Sequence, residues 1–346
     1  MLSHLRRSIF TLAVASATLA LPFITSAQSV TTIPVGFNTS VVPAAVDASN
    51  PSSTVLSAPF YTPADFTGAV GSVDSANQLS ITGAAFAAGQ FTATPHLARM
   101  KSGPSAGRFF LITSHTATQL TVDALGYSLT SAAPASTTQT QVTVGDSCEI
   151  LPANTLGTLF GTSTVPFQTG ATAADGDNVY LFNGTSWDVF YHNGTNWKRS
   201  GSLVNQNNAV VYPDRGLFVL RRATTPLNLT FLGTVPSSTE RTDFPGAVSS
   251  FKSVRFPVDT TLLGLSLQSL PNWLAGATAA DSDNVYLWNG TSWSVFYYNG
   301  ANWKKSGSLV NANTQVIPLG TAMFVVRQSA ATGSQSTLVQ TLPYTL

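Results

Sequence analysis

The chain has 346 residues, of which 43% are hydrophobic and only 9% charged, with 16 Lys and Arg against 15 Asp and Glu. That balance leaves no electrostatic footprint for nucleic acid or anionic lipid, and the hydrophobic content is too high for a disordered chain. Abundant Ser, Thr, Asn and Gly at the polar positions suit a β-rich extracellular protein that turns often.

At the N-terminus, Arg6 and Arg7 precede an uncharged apolar run, SIFTLAVASATLALPFI (8–24), followed by Thr25-Ser26-Ala27. A charged start, an apolar stretch and small residues form a signal peptide, 1–27, cut after Ala27. The run is short for a spanning helix and interrupted by Pro22. No later stretch reaches that length, so no transmembrane segment is expected in the mature chain.

Residues 28–154 form the first expected domain. VTTIPVGF (30–37), TVLSAPFY (54–61), GAVGSV (68–73), QLSITG (78–83), RFFLITS (108–114), QLTVDAL (119–125) and QVTVGDSCEIL (141–151) read as strands. Short runs bounded by Gly, Ser, Asn or Pro predict a small barrel or sandwich. SAAPASTTQTQ (131–141) reads as a polar loop. Cys148 is the single cysteine, which excludes an intramolecular disulfide and Cys-based metal sites. Its strand-like setting predicts a buried, inert thiol.

An internal repeat dominates the remainder. YLFNGTSWDVFYHNGTNWKRSGS (180–202) returns as YLWNGTSWSVFYYNGANWKKSGS (286–308). Gly170, Asp175, Trp187, Trp197, Phe218 and Arg221 match Gly276, Asp281, Trp293, Trp303, Phe324 and Arg327 at a constant offset of 106. TLGTLFG (155–161) echoes LLGLSLQ (262–268) with a one-residue slip. Two repeat domains follow, 155–235 and 236–346, with VPSSTERTDFPGA (235–247) as a charged connector. Asn-Gly at 183–184, 193–194, 289–290 and 299–300 predicts hairpins, because both residues of a type I′ turn need positive φ. With two-residue loops, Tyr180 would pair with Trp187 and Phe190 with Trp197. The first copy then becomes a meander, 179–182, 185–192 and 195–200, with a fourth strand at 216–222 that has its counterpart at 322–328. This register places Tyr180, Phe182, Trp187, Val189 and Tyr191 on one face. Val179, Leu181, Phe190, His192 and Trp197 take the other. Both faces are apolar, so either both are covered or one keeps exposed aromatics. The expected fold is all-β, with a small barrel- or sandwich-like N-terminal domain followed by two duplicated antiparallel meander domains.

The succession GAVGSV, LSITG, GRFFLITSHTATQLTVD and VGDSCEILP, then DNVYLFNGTSWDVFYHNGTNWKRSG and PDRGLFVLRR, resembles a family of exported bacterial β-rich proteins. That family, uncharacterised in function, carries this Tyr/Trp–Asn-Gly meander. The resemblance spans most of the mature chain. It implies export and an all-β architecture, and it brings no catalytic residues.

Candidate chemistry is sparse. The mature chain holds His96, His115 and His192 and two glutamates, Glu149 and Glu240. Tyr298 stands in for His192 in the second copy. Ser114-His115 lacks the strand–elbow–helix setting of a nucleophilic serine, and Asp74, Asp123, Asp146 and Asp214 sit in turn-like contexts rather than as paired acids. A secreted hydrolase is therefore the third reading, and no cofactor is expected. Asp175, Asp177, Asp281 and Asp283 offer oxygens at alternate positions, as a calcium loop does. The twelve-residue spacing and terminal glutamate of such a loop are missing, and turn capping is the preferred account of these residues, with calcium the minor one.

The sharpest candidates are Tyr180, Trp187 and Trp197 with Tyr286, Trp288, Trp293 and Trp303. Rows of rings can stack on sugars, or they can fill a core and stabilise cross-strand pairs. Trp288 stands where the first copy has Phe182. Lys198-Arg199 and Lys304-Lys305 mark a solvated sheet edge. The leading expectation is a non-catalytic, exported structural or adhesion protein of the cell surface or extracellular matrix, partnered by polysaccharide or another surface protein. The alternative is a carbohydrate-binding protein using exposed Trp and Tyr of the two repeats. Exposure of the rings discriminates the two.

Overall fold

Most stretches of the described chain that alternate or cluster β-branched and aromatic residues become strands. The structure, a computed structural model, describes residues 33–124, 128–130, 141–328 and 335–345. The expected leader at 1–27 and residues 131–140 of the expected loop lie outside the described residues. The fold is all-β: among the described residues, helix is confined to α1 (Leu156–Phe160) and two 3₁₀ turns, Leu267–Ser269 and Ala279–Asp281. Among the described residues, no helix is long and apolar enough to cross a membrane.

Two strands open the chain, β1 (Val35–Val42) and β2 (Ser52–Leu56). Six more close a barrel: β3 (Phe66–Ser75), β4 (Gln78–Ile81), β5 (His96–Met100), β6 (Phe109–His115), β7 (Gln119–Asp123) and β8 (Ser147–Pro152). Their inward side chains, including Val70, Leu79, Met100, Phe110, Leu120, Cys148 and Ile150, form one buried cluster. Closure removes the unpaired edges that a free sheet would expose. The strand β5 was not legible in the sequence, because His96 and Arg99 make two of its five residues polar.

The first repeat continues with α1, β9 (Asn178–Phe182), β10 (Trp187–His192), β11 (Trp197–Arg199), β12 (Leu217–Arg221) and β13 (Leu227–Thr234). The second contains β14 (Glu240–Pro245), β15 (Ser249–Ser253), β16 (Thr260–Thr261), β17 (Asn284–Trp288), β18 (Trp293–Tyr298), β19 (Trp303–Lys305), β20 (Val316–Ile317), β21 (Ala322–Val326) and β22 (Gln335–Gln340). The sheet orders are β11-β10-β9-β12-β2 and β19-β18-β17-β21-β15, each accompanied by a two-stranded ribbon, β1-β13 or β14-β22. These sheets and ribbons correspond strand for strand, and the second repeat adds a short ribbon, β16-β20, where the first has the single bridge Thr155↔Val210.

This pairing crosses the boundary expected at 154. β2 joins the first repeat's sheet through Phe218↔Val55, just as β15 joins the second's through Phe324↔Phe251. The barrel is therefore inserted into the first repeat, between β2 and α1. The stretch 235–247, expected as a connector, supplies β14 instead.

The hairpins also differ from expectation in register. Trp187 pairs with Phe182 and Trp197 with His192. The loops are four residues long: Asn183 Oδ1 accepts from the Thr185 and Ser186 amides, and Gly184 takes φ 106°. An Asx-type bond makes the turn in place of a two-residue type I′ geometry. The slip is two residues, so every side chain keeps its face.

Candidate functional site

Each repeat sheet buries both faces, and the two faces do different work. On one face of the first sheet, Val179, Phe190 and Trp197 enter the repeat's own core with Leu156, Phe160 and Phe167. Trp197 and its counterpart Trp303 are 0% exposed, and their indole N–H groups donate to Gly161 O at 2.8 Å and Gln268 Oε1 at 3.1 Å. A buried, hydrogen-bonded indole offers no face to a sugar, so these two residues do not belong to any platform.

The other face meets the other repeat. Val55, Phe251 and Ala322 are buried there, with Phe182, Trp187, Phe218, Trp288, Trp293 and Phe324 packed against them. Phe182 lies 5.1 Å from Phe324, and its counterpart Trp288 lies 5.5 Å from Phe218. Trp187 contacts Phe324 at 5.5 Å, and Trp293 contacts Phe218 at 6.5 Å. Backbone bonds obey the same exchange: Ser253 N donates to Asp214 O, and Ser57 N donates to Gly320 O. Contacts that recur with the repeats interchanged are the mark of an isologous-type interface, here between two halves of one chain. The larger ring at Trp288 fits because its Nε1–H reaches Ser53 O at 3.2 Å, across the interface. Tyr180 meets Trp187 and Phe218 edge-on and is half-buried, as is Tyr286.

The paired aspartates have structural partners. Asp177 and Asp283 are 0% exposed and sit against Arg221 and Arg327, the arginines that close β12 and follow β21. Asp283 Oδ2 accepts from Arg327 Nε at 2.7 Å and from Leu274 N at 3.0 Å, while Oδ1 accepts from Gln328 N at 2.7 Å. Asp177 makes the equivalent bonds to Arg221, Gln168 N and Arg222 N. Asp175 and Asp281 instead accept from Thr172 and Thr278 within their turns. Both carboxylate oxygens of the buried pair, Asp177 and Asp283, are committed in this way. Among the described residues no cluster of three or more metal-ligating side chains occurs.

A charged junction that the sequence did not reveal joins barrel and repeats. Glu240 on β14 is 0% exposed and accepts from Arg99 of β5 through one oxygen and from Arg255 through the other. Arg255 also donates to Tyr61 Oη at 2.9 Å, and Arg99 reaches Glu149 at 3.3 Å. Both guanidiniums lie over the Tyr61 and Phe109 rings. Burial pushes the Tyr61 hydroxyl far above its usual range. Nearby, Arg108 grips Asp243 with bonds of 3.1 and 3.0 Å. Gly107 (φ 87°) allows the barrel backbone this close, since a Cβ there would meet Thr239 O at 2.6 Å. Glu240 is thus spent on holding modules together, while Glu149 pairs with Arg99 and Lys101 within the barrel.

The histidines are similarly engaged. His192 Nε2 donates to Thr162 O at 2.8 Å, His96 contacts Thr94 O and Asp65, and His115 Nε2 accepts from Phe91 N. Two clefts recur at matching positions. Leu181, Asn183, Asp188, Phe190, Val210 and Arg215 line one of about 290 Å³. Leu287, Asn289, Ser294, Phe296, Val316 and Thr321 line its counterpart of about 320 Å³. No family model matches the chain, and neither does any curated protein or solved structure.

Proposed function

We propose that the protein is a non-catalytic structural or adhesion protein, exported to the cell surface or extracellular matrix. The observation that carries this reading is the packing of the two aromatic faces against each other. The motif that dominates the sequence is used to hold two repeats together, not to receive a ligand. Glu240, Asp243, Asp283 and His192 are each engaged by structural partners. Export rests on the leader pattern and on the family resemblance. Labelling intact producing cells and their matrix with a specific antibody, beside a deletion strain, tests it. Surface or matrix retention, with weakened cohesion on deletion, is the expected result. A protein found only in the medium, with unchanged cohesion on deletion, would overturn it.

Carbohydrate binding survives as a second reading, on the two equivalent clefts rather than on the rings. Each has an apolar floor and polar rim on the scale of a small ligand. Calorimetric titration with cell-wall oligosaccharides tests it: two equivalent sites support this reading, and absence of heat removes it.

A further inference from the structure

Beyond β11 and β19, both at sheet edges, the chain forms the same loop twice, SGSLVN at 200–205 and at 306–311. Its apolar pair points into solvent in each copy. Leu203 is 89% and Val204 65% exposed; Leu309 is 91% and Val310 71% exposed. The loops are fixed by matching bonds. Ser202 N donates to Arg199 O and Ser308 N to Lys305 O, while Gln206 N and Ala312 N close back onto Trp197 O and Trp303 O. Val204 N and Val310 N donate to the hydroxyls of Ser202 and Ser308, both at 3.2 Å. Gly201 and Gly307 take φ 79° and 78°.

Such exposure leaves almost no burial by which Leu203 or Leu309 could stabilise the fold. Stability therefore does not account for the pair. An apolar pair repeated in both copies and left in solvent in each points to contact with something apolar.

The charge around the tips narrows the partner. Lys198 Nζ donates to Leu203 O and Lys304 Nζ to Leu309 O, both at 2.7 Å, placing an ammonium at the base of each tip. Arg199 is adjacent and paired with Asp188 at 2.6 Å. In the second copy Ser294 replaces that aspartate, and exposed Lys305 makes no ion pair among the described residues. Apolar side chains outermost with cations behind them match the profile of a bilayer, hydrocarbon beneath anionic headgroups. The near-neutral overall charge conceals this local placement.

We propose that the two Leu-Val tips, 203–204 and 309–310, are membrane-docking loops that insert into an anionic lipid surface. This stands apart from the adhesion reading and would supply the protein's attachment to a membrane without a spanning segment.

Sedimentation of the mature chain with vesicles of phosphatidylglycerol and phosphatidylcholine, beside pure phosphatidylcholine vesicles, tests it. The wild type should bind the anionic vesicles, more weakly in high salt. L203S/V204S/L309S/V310S should lose at least ~30-fold in partitioning, given the area of four apolar side chains. K304Q/K305Q should lose ~5–30-fold on anionic vesicles alone, from about 1 kcal/mol per cation. The quadruple variant should keep the wild-type circular dichroism and melting temperature, because its substituted side chains are exposed; K304Q/K305Q, which gives up the Lys304–Leu309 bond, should keep the wild-type circular dichroism. Absence of wild-type binding, or equal binding by the folded quadruple variant, would overturn the proposal. So would lipid-free light scattering in which the wild type self-associates and the quadruple variant does not, since the tips would then join copies of the chain.

Discussion

Replacing Glu240 with Gln keeps the side chain's shape and removes the charge that two arginines share. The carboxylate is 0% exposed, and the side chains of Arg99 and Arg255 are only 4% and 1% exposed. Removing one partner of a buried ion pair costs about 3–5 kcal/mol, because the remaining charge is stranded without water. Glu149 stays within 3.3 Å of Arg99, so Arg255 bears most of the loss. The expected cost is therefore near the lower end, about 3 kcal/mol. Urea unfolding followed by tryptophan fluorescence measures it, with the slope checked so that a midpoint shift can be read as stability. All six tryptophans lie in the repeats, so a separate barrel probe should show whether barrel and repeats unfold apart in this variant. Replacing the whole network, Arg99→Met/Glu240→Leu/Arg255→Met, should restore much of the loss, since apolar side chains of similar volume avoid the desolvation penalty. A loss below about 1 kcal/mol for Glu240→Gln would refute the reasoning.

Trp187→Ala and Trp293→Ala should each cost about 2–4 kcal/mol in the same assay, somewhat less than a fully buried ring, and their effects should not add because both sit in one cluster. Arg327→Met should cost about 3–5 kcal/mol by leaving Asp283 buried without its cation, and Arg221→Met should match it at Asp177. Burial opposes ionisation of Asp214, but Lys252, Arg215 and Arg255 outweigh it and hold the carboxyl well below its usual range. That contribution is complete above the unfolded value and is lost as pH falls through the depressed one. Stability should thus decline below about pH 4, less steeply in Lys252→Met, in urea melts across that range. The Cys148 thiol, pushed up to about 12 by burial, should resist alkylation at pH 8 in the native protein and react once unfolded.

The all-β class, the strands of the meanders and the parity of their faces were legible because period-two patterning and Asn-Gly turns are local signals. Turn length was not, because Thr185 and Ser186 read as strand residues until their amides are seen bonded to Asn183. The membership of β1 and β2 in the first repeat was hidden by the inserted barrel and by their lack of likeness to β14 and β15. Charges concealed both β5 and β14: Arg99, Glu240, Arg241 and Asp243 look like loop residues until each is seen against its partner. The duplicated aromatics could be read equally as platform or core, because the sequence gives each face but not what lies opposite. Only the docking of one repeat on the other decides between them.

The central claim is that the repeated aromatic faces are buried against each other. Acrylamide quenching of tryptophan fluorescence in the protein, with and without excess cell-wall polysaccharide, tests it most directly. The account predicts blue-shifted, well-shielded emission that polysaccharide leaves unchanged and urea abolishes. Readily quenched emission in the native protein, protected on adding polysaccharide, would contradict it.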